Sequence, residues 1–240
     1  FVNGIGFDEW NNLNLDPKKP MLDRIISATY PPGSTIKPFI SIAGLEHNQI
    51  SKDFKISDPG YYRLPNSKKI FKDWKKEGHG EVDLIKAIAE SCDVYFYNLA
   101  YRLGIDKLSQ TLNKFSFGNQ TGVQLPSEKN GILPSPEWKQ KRYKQKWNLY
   151  ETINTSIGQG DFLVTPIQLT HALNTLLNNK KIAPPSIILK EHFTDEAVES
   201  SKITDDEYID LVRSGMQQVT GDSGTFRSIA HKNLNKLAGK

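Results

Sequence analysis

Residues 29–39, with the sequence TYPPGSTIKPF, hold a serine and a lysine at a spacing that suits covalent catalysis. Two prolines and a glycine precede Ser34, and an apolar run follows Pro38, so we expect Ser34 near the first turn of a helix over residues 34–47. Residues three apart lie on one face of a helix, which places Lys37 beside Ser34. A lysine that has lost its proton, through burial or a neighbouring positive charge, can activate a serine hydroxyl. Free backbone N–H groups at a helix N-terminus can stabilise the oxyanion that forms.

The pair alone does not establish catalysis, because a capping serine and a solvated lysine produce the same Ser-x-x-Lys pattern. A second serine, Ser91 in AESCDVYFY, stands at the junction of two predicted helices, where its side chain can project into a cleft. Asp93 would lie beside it in a Ser-x-Asp turn. Either residue could instead serve only as the cap of the second helix, and the local sequence leaves both interpretations open.

Length and composition limit the classes of protein to which this chain can belong. The 240 residues suffice for one large domain or two small ones, and 24% charged with 37% hydrophobic residues fit a globular chain with a sizeable core. The net charge of +4 is mild, and the basic run KQKRYKQK at 139–146 is either a solvated face or a surface for an anionic polymer or lipid. The sequence has no nucleic-acid motif, so we expect no nucleic-acid partner. The single cysteine excludes an internal disulfide, and no apolar run approaches the roughly 18 residues that cross a bilayer.

Apolar periodicity predicts a chain rich in helices, with few strands. We expect irregular, turn-rich structure over residues 1–33, a long loop over residues 51–80 and a turn-rich excursion over residues 118–136. A strand is predicted at residues 185–190, PSIILK. Further helices are predicted in EVDLIKAIAES, in DVYFYNLAYRLG with Gly104 as its C-cap, in IDKLSQTLNKF, in TPIQLTHALNTLLNN and in TDDEYIDLVRSGMQQVT.

Three short motifs together resemble those of the penicillin-recognising serine enzymes. GSTIKP, SCD and a closing GK are similar to that family's Ser-x-x-Lys, Ser-x-Asn and Lys-Thr/Ser-Gly. Longer segments resemble the transpeptidase domain of the penicillin-binding protein 2 family, the class B, monofunctional peptidoglycan transpeptidases of rod-shape elongation in Gram-negative bacteria. These segments are YPPGSTIKP, DPGYYRLP, DWKKEGHG, WKQKRY and IGQGDFLVTPIQL. Two departures are visible: Asp93 replaces the asparagine of the wider family, and the third motif stops at Lys240.

The resemblance implies an α+β fold of the penicillin-binding-protein and serine β-lactamase type, with a helical lobe beside a five-stranded antiparallel sheet and the active site between them. Residues 1–240 are then a partial transpeptidase domain. The sheet is incomplete, and the N-terminal membrane helix, the pedestal domain and the C-terminal strands lie outside the sequence. The resemblance also implies an inner-membrane protein whose catalytic domain lies in the periplasm. Without its neighbouring strands, we expect Lys240 to be disordered or displaced.

The resemblance also assigns a role to each of five residues. Ser34 attacks the carbonyl between the last two D-alanines of a peptidoglycan stem peptide, and Lys37 is the base in acylation. Ser91 relays a proton between Lys37 and the leaving amine, while Asp93 orients the cluster. Lys240 supplies positive charge for the substrate carboxylate and helps keep Lys37 deprotonated. β-Lactam antibiotics acylate the same serine, and the implied partner is the membrane-embedded glycosyltransferase of the elongation machinery.

Two other functions stay open at this point. A β-lactamase or D,D-carboxypeptidase on the same scaffold needs a positioned water to hydrolyse the acyl-enzyme, and no clear deacylating base is visible in the sequence. A β-lactam-sensing or scaffold domain binds peptidoglycan or partners without turnover. Sustained β-lactam turnover indicates the first, and failure to crosslink a lipid-linked precursor indicates the second.

The sequence also offers a possible set of four zinc ligands: Asp58, Asp73, His79 and Cys92. Two carboxylates, an imidazole and a thiolate can together coordinate zinc tetrahedrally. A metal explains how the long loop, with few apolar anchors, stays folded, and it ties that loop to the second motif. The alternative is that Cys92 is a small buried hydrophobe, His79 a turn residue and the two aspartates caps. The resemblance favours zinc, since some members of the penicillin-binding protein 2 branch carry zinc at this loop. Four protein ligands leave no open position, so the role is structural.

Overall fold

The structure, a computed structural model, describes residues 3–188, 201–228 and 238–240. Within these ranges the chain is mainly helical, with a short 3₁₀ helix at Gly33–Ile36. The α-helices are α1 Phe7–Leu15, α2 Lys37–Glu46, α3 Leu84–Ala89, α4 Asp93–Lys114, α5 Pro136–Tyr143, α6 Leu149–Thr155, α7 Pro166–Asn178 and α8 Asp206–Gln218. The strands are β1 Ile56–Asp58, β2 Tyr61–Arg63, β3 Ile70–Lys72 and β4 Gly80–Val82.

Helix α2 lies at the centre of the core. Its residues 37–45 are all buried, and α3, α4 and α8 pack around it. The Phe39 ring meets the rings of Phe115 and Phe117 edge-on, with centroids 5.1 and 5.0 Å apart. Burial of one such side chain contributes about 1.5–3 kcal/mol, so this aromatic cluster fixes the helix that begins at Lys37.

The four strands form two small antiparallel sheets. Strand β1 pairs with β4, with Ile56 opposite Val82, and β2 pairs with β3, with Tyr62 opposite Phe71. The prediction of a long loop over residues 51–80 is therefore wrong, because all four strands lie within or at the end of that segment. Each strand has only three residues, too few for the alternation of apolar and polar side chains to stand out in the sequence. We call residues 56–82 the β segment.

The long helices agree with the sequence. The predicted pair of helices before and after Gly104 is one element, α4, with a kink at Gly104, where φ is 73° and ψ is 165°. Helix α7 has Pro166 in its first turn and a capping box at Thr165. The turn-rich excursion over residues 118–136 is confirmed, since it contains no helix or strand before α5.

Two predictions about the remaining elements differ from the structure. Helix α1 lies within the segment expected to be irregular, and it buries no residue. Three of its nine residues are asparagines, which have a low helix propensity. Residues 185–188 are not a strand, and the rest of that predicted strand lies outside the described residues. Over the described ranges the strands form two sheets of two strands each. No helix in the same ranges is both long and apolar enough to span a bilayer.

Candidate active site

Ser34 lies in the 3₁₀ turn that leads into α2, and two glycines fix this turn. Gly33 has a φ of +58°, and its N–H donates to the carbonyl of Gly158 at 3.0 Å. A Cβ at Gly158 would stand 2.3 Å from the Gly33 oxygen, so only glycine permits this approach. The Lys37 N–H donates to the Ser34 carbonyl, so that carbonyl is paired although Pro38 has no N–H.

Lys37 is completely buried and makes three polar contacts. Its Nζ lies 3.0 Å from Ser91 Oγ, 2.8 Å from the Ser91 carbonyl oxygen and 2.6 Å from Asp93 Oδ1. Burial lowers the pKa of Lys37 below the ordinary 10.5, and the attraction of Asp93 opposes this without cancelling it. A neutral Lys37 is therefore accessible, as a general base requires.

Ser91 connects Lys37 to Ser34. Its Oγ donates to Ser34 Oγ at 3.0 Å and accepts from Lys37 Nζ, so the three side chains form one hydrogen-bonded chain. The backbone of Ser91 has a φ of +57°, in the left-handed region that non-glycine residues rarely adopt. Such strain at a single residue is typical of functional sites and needs neighbouring contacts to hold it.

Two consecutive residues of the β segment supply those contacts. The Trp74 indole N–H points between the carbonyl oxygens of Glu90 and Ser91, 3.2 Å from each. Asp73 Oδ2 accepts the N–H groups of Asp93 and Val94 at 2.8 and 3.1 Å. Sequence reasoning missed Trp74. Its only signal was its position directly after a proposed metal ligand in DWKKEGHG.

The cap of α4 is Cys92, rather than Ser91 or Asp93. Its backbone is extended, and its Sγ accepts the Tyr95 N–H at 3.4 Å. Asp93 is the first residue of α4, where the positive end of the helix dipole favours a carboxylate. Because neither Ser91 nor Asp93 is needed as the cap, both side chains remain turned toward Lys37.

Lys240 is held near the same cluster. The Gly239 N–H donates to the Met216 carbonyl at 3.0 Å, and Lys240 Nζ donates to the Ile88 carbonyl at 2.6 Å. Contacts with α3 and α8 thus order Lys240 in place of neighbouring strands, which differs from the expected disorder. The alternative expectation, displacement from the active-site serines, stays a prediction, because the described contact of its Nζ is with the Ile88 carbonyl. Burial, and then the charge of Lys37, lower the pKa of Lys240 to about 7. The two lysines thus disfavour each other's protonation.

The four proposed metal ligands meet in the structure. Each of the four residues contributes one donor atom, and these four atoms lie within 4.8 Å of one another. All four residues are buried: Asp58, Asp73, His79 and Cys92. His79 Nδ1 lies 2.7 Å from Asp58 Oδ2, and Cys92 Sγ lies 3.4 Å from the same oxygen. His79 Nε2 is buried without a hydrogen-bond partner among the described residues.

The chemistry of this cluster suits a cation. Two carboxylates and a thiol buried side by side are costly unless a positive charge neutralises them. Burial raises the pKa of the Cys92 thiol, so without a metal it stays protonated. The side chains at hand therefore fit a divalent metal of the zinc type, which binds thiolate, imidazole and carboxylate together.

Comparisons with known proteins agree on one family. The family model described as the penicillin binding protein transpeptidase domain matches residues 6–240. The Peptidoglycan D,D-transpeptidase MrdA of Acinetobacter baumannii is 42% identical over 99% of this chain and 39% of the relative. The crystal structure of Pseudomonas aeruginosa PBP2 in complex with WCK 5153 superimposes with a TM-score of 0.88 at 36% identity, covering 96% of this chain and 53% of that one.

A third match is to PBP2 in a complex with MreC from Helicobacter pylori, with a TM-score of 0.83 and 37% identity over 92% of this chain and 41% of that one. The chain thus spans about two fifths of the A. baumannii relative and about half of the P. aeruginosa structure. These matches, and the helical lobe with small antiparallel sheets, agree with the expected α+β fold. The chain belongs to the penicillin-binding protein transpeptidase family.

Proposed function

We propose that this chain is the catalytic part of a peptidoglycan D,D-transpeptidase that crosslinks stem peptides through a serine acyl-enzyme. The observation that carries the proposal is the hydrogen-bonded chain from buried Lys37 through Ser91 to Ser34. Relatives of the same family that are named peptidoglycan D,D-transpeptidase support the reaction class. In this proposal residues 1–240 are part of a larger transpeptidase domain.

In the first step, the Ser34 oxygen attacks the carbonyl carbon of the penultimate D-alanine. The hydroxyl proton passes to neutral Lys37 through Ser91, which is the only hydrogen-bonded path between them that the described contacts provide. The Ser34 N–H, at the start of the helical turn, has no intrahelical acceptor and stabilises the oxyanion. The amide C–N bond then breaks, and the proton returns through Ser91 to the departing D-alanine nitrogen.

In the second step, the amino group of a neighbouring stem peptide attacks the ester carbonyl. A new amide bond forms, the ester C–O bond breaks, and Ser34 regains its proton. Asp93 keeps the Lys37 amine aimed at Ser91 through the 2.6 Å contact. Lys240, whose pKa is about 7, supplies positive charge for the terminal carboxylate when protonated.

We further propose that Asp58, Asp73, His79 and Cys92 bind a structural zinc ion. The meeting of the four donors and the unpaired, buried His79 Nε2 support this proposal. When bound, the ion neutralises the buried carboxylates and thiolate and joins the β segment to the N-terminus of α4. Metal analysis of protein purified without chelator tests it: about one equivalent of zinc is expected, and a stoichiometry near zero contradicts the proposal.

The proposed setting is the periplasmic face of the inner membrane, because the family relatives with the MrdA name come from bacteria such as A. baumannii and Escherichia coli. The proposed partners are a membrane-embedded glycosyltransferase that makes the glycan strand, β-lactam antibiotics and a protein related to the MreC of the H. pylori complex. Copurification with the glycosyltransferase from detergent-solubilised membranes tests the first of these.

Intact-mass measurement after incubation with benzylpenicillin tests the catalytic proposal. One adduct is expected, located on Ser34 by peptide mapping and absent in Ser34→Ala. Ser41→Ala is the matched control, because Ser41 is buried on the same helix and donates only to the Lys37 carbonyl. A wild-type protein without the adduct contradicts the proposal. Sustained β-lactam hydrolysis assigns a β-lactamase instead, and D-alanine release without crosslinks assigns a carboxypeptidase.

A further inference from the structure

An open groove of about 710 Å³ lies between the second half of α4 and the start of α5. Four polar residues of α4 form one wall at helical spacing: Asp106, Ser109, Gln110 and Asn113. The facing wall comes from residues 130–133, from Ser135 and from Glu137 and Trp138 of α5. The apolar lining is formed by Phe117, Ile132 and Leu133. None of the residues proposed above for catalysis or metal binding lines this groove.

Three amide side chains in the groove are available to a ligand. Gln110, Asn113 and Asn130 are exposed, and within the described part of the chain their side chains make no hydrogen bond to protein. The hydroxyls, in contrast, hold the walls in place. Ser109 Oγ donates to the Pro134 carbonyl at 2.9 Å, and Ser135 Oγ accepts the Trp138 N–H at 3.1 Å. The groove is therefore preformed, with free polar groups along rigid walls.

These groups match an uncharged saccharide. Each amide offers both donors and an acceptor, which suits hydroxyl and acetamido groups. The carboxylates of Asp106 and Glu137 accept from hydroxyls and repel phosphate or carboxylate ligands. Trp138 offers an indole for the apolar face of a sugar ring, and its edge-on contact with Tyr143, at a centroid distance of 5.5 Å, limits the movement of that indole.

An uncompensated positive surface adjoins the groove. Lys139 is neutralised by Glu151 at 2.6 Å, but Lys141, Arg142, Lys144 and Lys146 are exposed and form no ion pair among the described residues. A peptidoglycan strand carries a glycan backbone with carboxylate-bearing stem peptides attached. A groove that has no basic side chain among its described lining residues and lies beside exposed cations has the charge arrangement to receive both parts of such a strand.

The groove and the nucleophile share one packed core. The Phe117 ring at the base of the groove meets the Phe39 ring at 5.0 Å, and Phe39 lies two residues after Lys37. Ile132 pairs with Leu163, which follows the Gly158 loop that contacts Gly33. A ligand in the groove is thus held in a fixed relation to Ser34.

We propose that this groove binds the saccharide backbone of the peptidoglycan strand, outside the reactive centre. This inference rests on the proposed transpeptidase function and adds the strand, rather than the stem peptide alone, as the recognised substrate. Binding of the backbone keeps its stem peptides at high effective concentration near Ser34 without contributing a reacting group. Trp138 supplies the stacking surface and Asn113 a hydrogen-bonding amide.

The test uses chitotetraose, a neutral saccharide, as the probe and the indole N–H signals of ¹⁵N-labelled protein as the readout. Chitotetraose is expected to shift the Trp138 signal, and Trp138→Ala is expected to weaken binding about tenfold, the effect of losing one stacking contact. Trp138→Phe keeps an aromatic face and retains most of the binding. Asn113→Ala weakens it, whereas Gln140→Ala, an exposed amide of α5 outside the groove, leaves it unchanged.

Penicillin acylation of Ser34 is measured on the same samples and is expected to stay at the wild-type rate, which separates failure of this proposal from failure of the transpeptidase function. If Trp138→Ala does not fold, Trp138→Phe and Asn113→Ala carry the test. Absence of a Trp138 shift, or binding that both Trp138→Ala and Asn113→Ala leave unchanged, overturns the proposal. The proposal is also overturned if the protein binds a free stem peptide but not chitotetraose, and if high salt abolishes the binding of that peptide. Charge alone then explains the recognition.

Discussion

Replacement of Trp74 by phenylalanine tests whether the β segment holds Ser91 in its catalytic conformation. The substitution removes the indole N–H that lies 3.2 Å from the Glu90 and Ser91 carbonyl oxygens, while a phenyl ring still packs near His79. The left-handed backbone of Ser91 costs about 1–2 kcal/mol, which the contacts of Trp74 and Lys37 offset. Trp74 acts here as a positioning residue, since it touches Ser91 through the backbone alone.

The size of the effect follows from the bond that is lost. A neutral hydrogen bond contributes about 0.5–1.5 kcal/mol, and residue Trp74 is 59% exposed, which favours the lower half of that range. A loss of about 1 kcal/mol changes a local equilibrium about fivefold. Trp74→Phe is therefore expected to slow acylation of Ser34 by up to about fivefold, with a similarly small loss in the free energy of unfolding.

The assay is the second-order rate of acylation by a fluorescent penicillin, followed by stopped flow. Trp147→Phe is the matched control, because it removes an indole N–H that donates to Thr152 Oγ1 at 2.9 Å, away from Ser91. Trp147→Phe should lose at least as much stability as Trp74→Phe, because Trp147 packs against the core, and only Trp74→Phe should acylate slowly. Zinc content should be unchanged in both. Equal acylation rates in the two variants refute the positioning role of Trp74.

The remaining predictions concern the base, the metal and the turn before the nucleophile. Since burial lowers the pKa of Lys37 and only its neutral form is a base, the acylation rate should rise with pH and reach a plateau below 10.5; a rate that still rises above that value contradicts the assignment. Cys92→Ser should lose most of its zinc and melt at the temperature of chelator-treated wild type, and unchanged zinc content argues against the metal site. Gly158→Ala places a Cβ 2.3 Å from the Gly33 oxygen. It should lower the free energy of unfolding by more than about 2 kcal/mol, measured by denaturant titration, and should also slow the acylation of Ser34. At Gly160 the φ is +77°, but an added Cβ would have its nearest contact at 3.6 Å, so Gly160→Ala should lower the free energy of unfolding by only about 1 kcal/mol. Equal losses of unfolding free energy in the two glycine variants rule out the steric explanation.

The sequence predicted the features that depend on local patterns. Ser34 and Lys37 are joined by one helical turn, and the long helices α4, α7 and α8 show their apolar spacing or their caps. The candidate residues came from spacing and resemblance, and the structure brings the Lys37, Ser91 and Ser34 side chains into one chain of hydrogen bonds. Such motifs are short, so a single sequence can display them completely.

What the sequence did not predict depends on contacts between distant segments. The three-residue strands of the β segment pair across long connections, and α6 has only seven residues, so neither offers enough periodicity to detect. The contact of Trp74 with Ser91 crosses seventeen positions and uses backbone atoms, which no pattern of side chains encodes. The same is true of Lys240, whose partner is a carbonyl 152 positions away.

The separation of the active-site residues along the chain has a consequence for how this protein matures. Ser34 and Ser91 are 57 positions apart, and Lys240 meets Ile88 across 152 positions. Contacts over such distances form late in folding, after the helices around α2 have closed the intervening loops. A nascent chain in which these segments have not yet met therefore carries a serine that is not activated. The onset of penicillin labelling then reports when the last of these segments has docked.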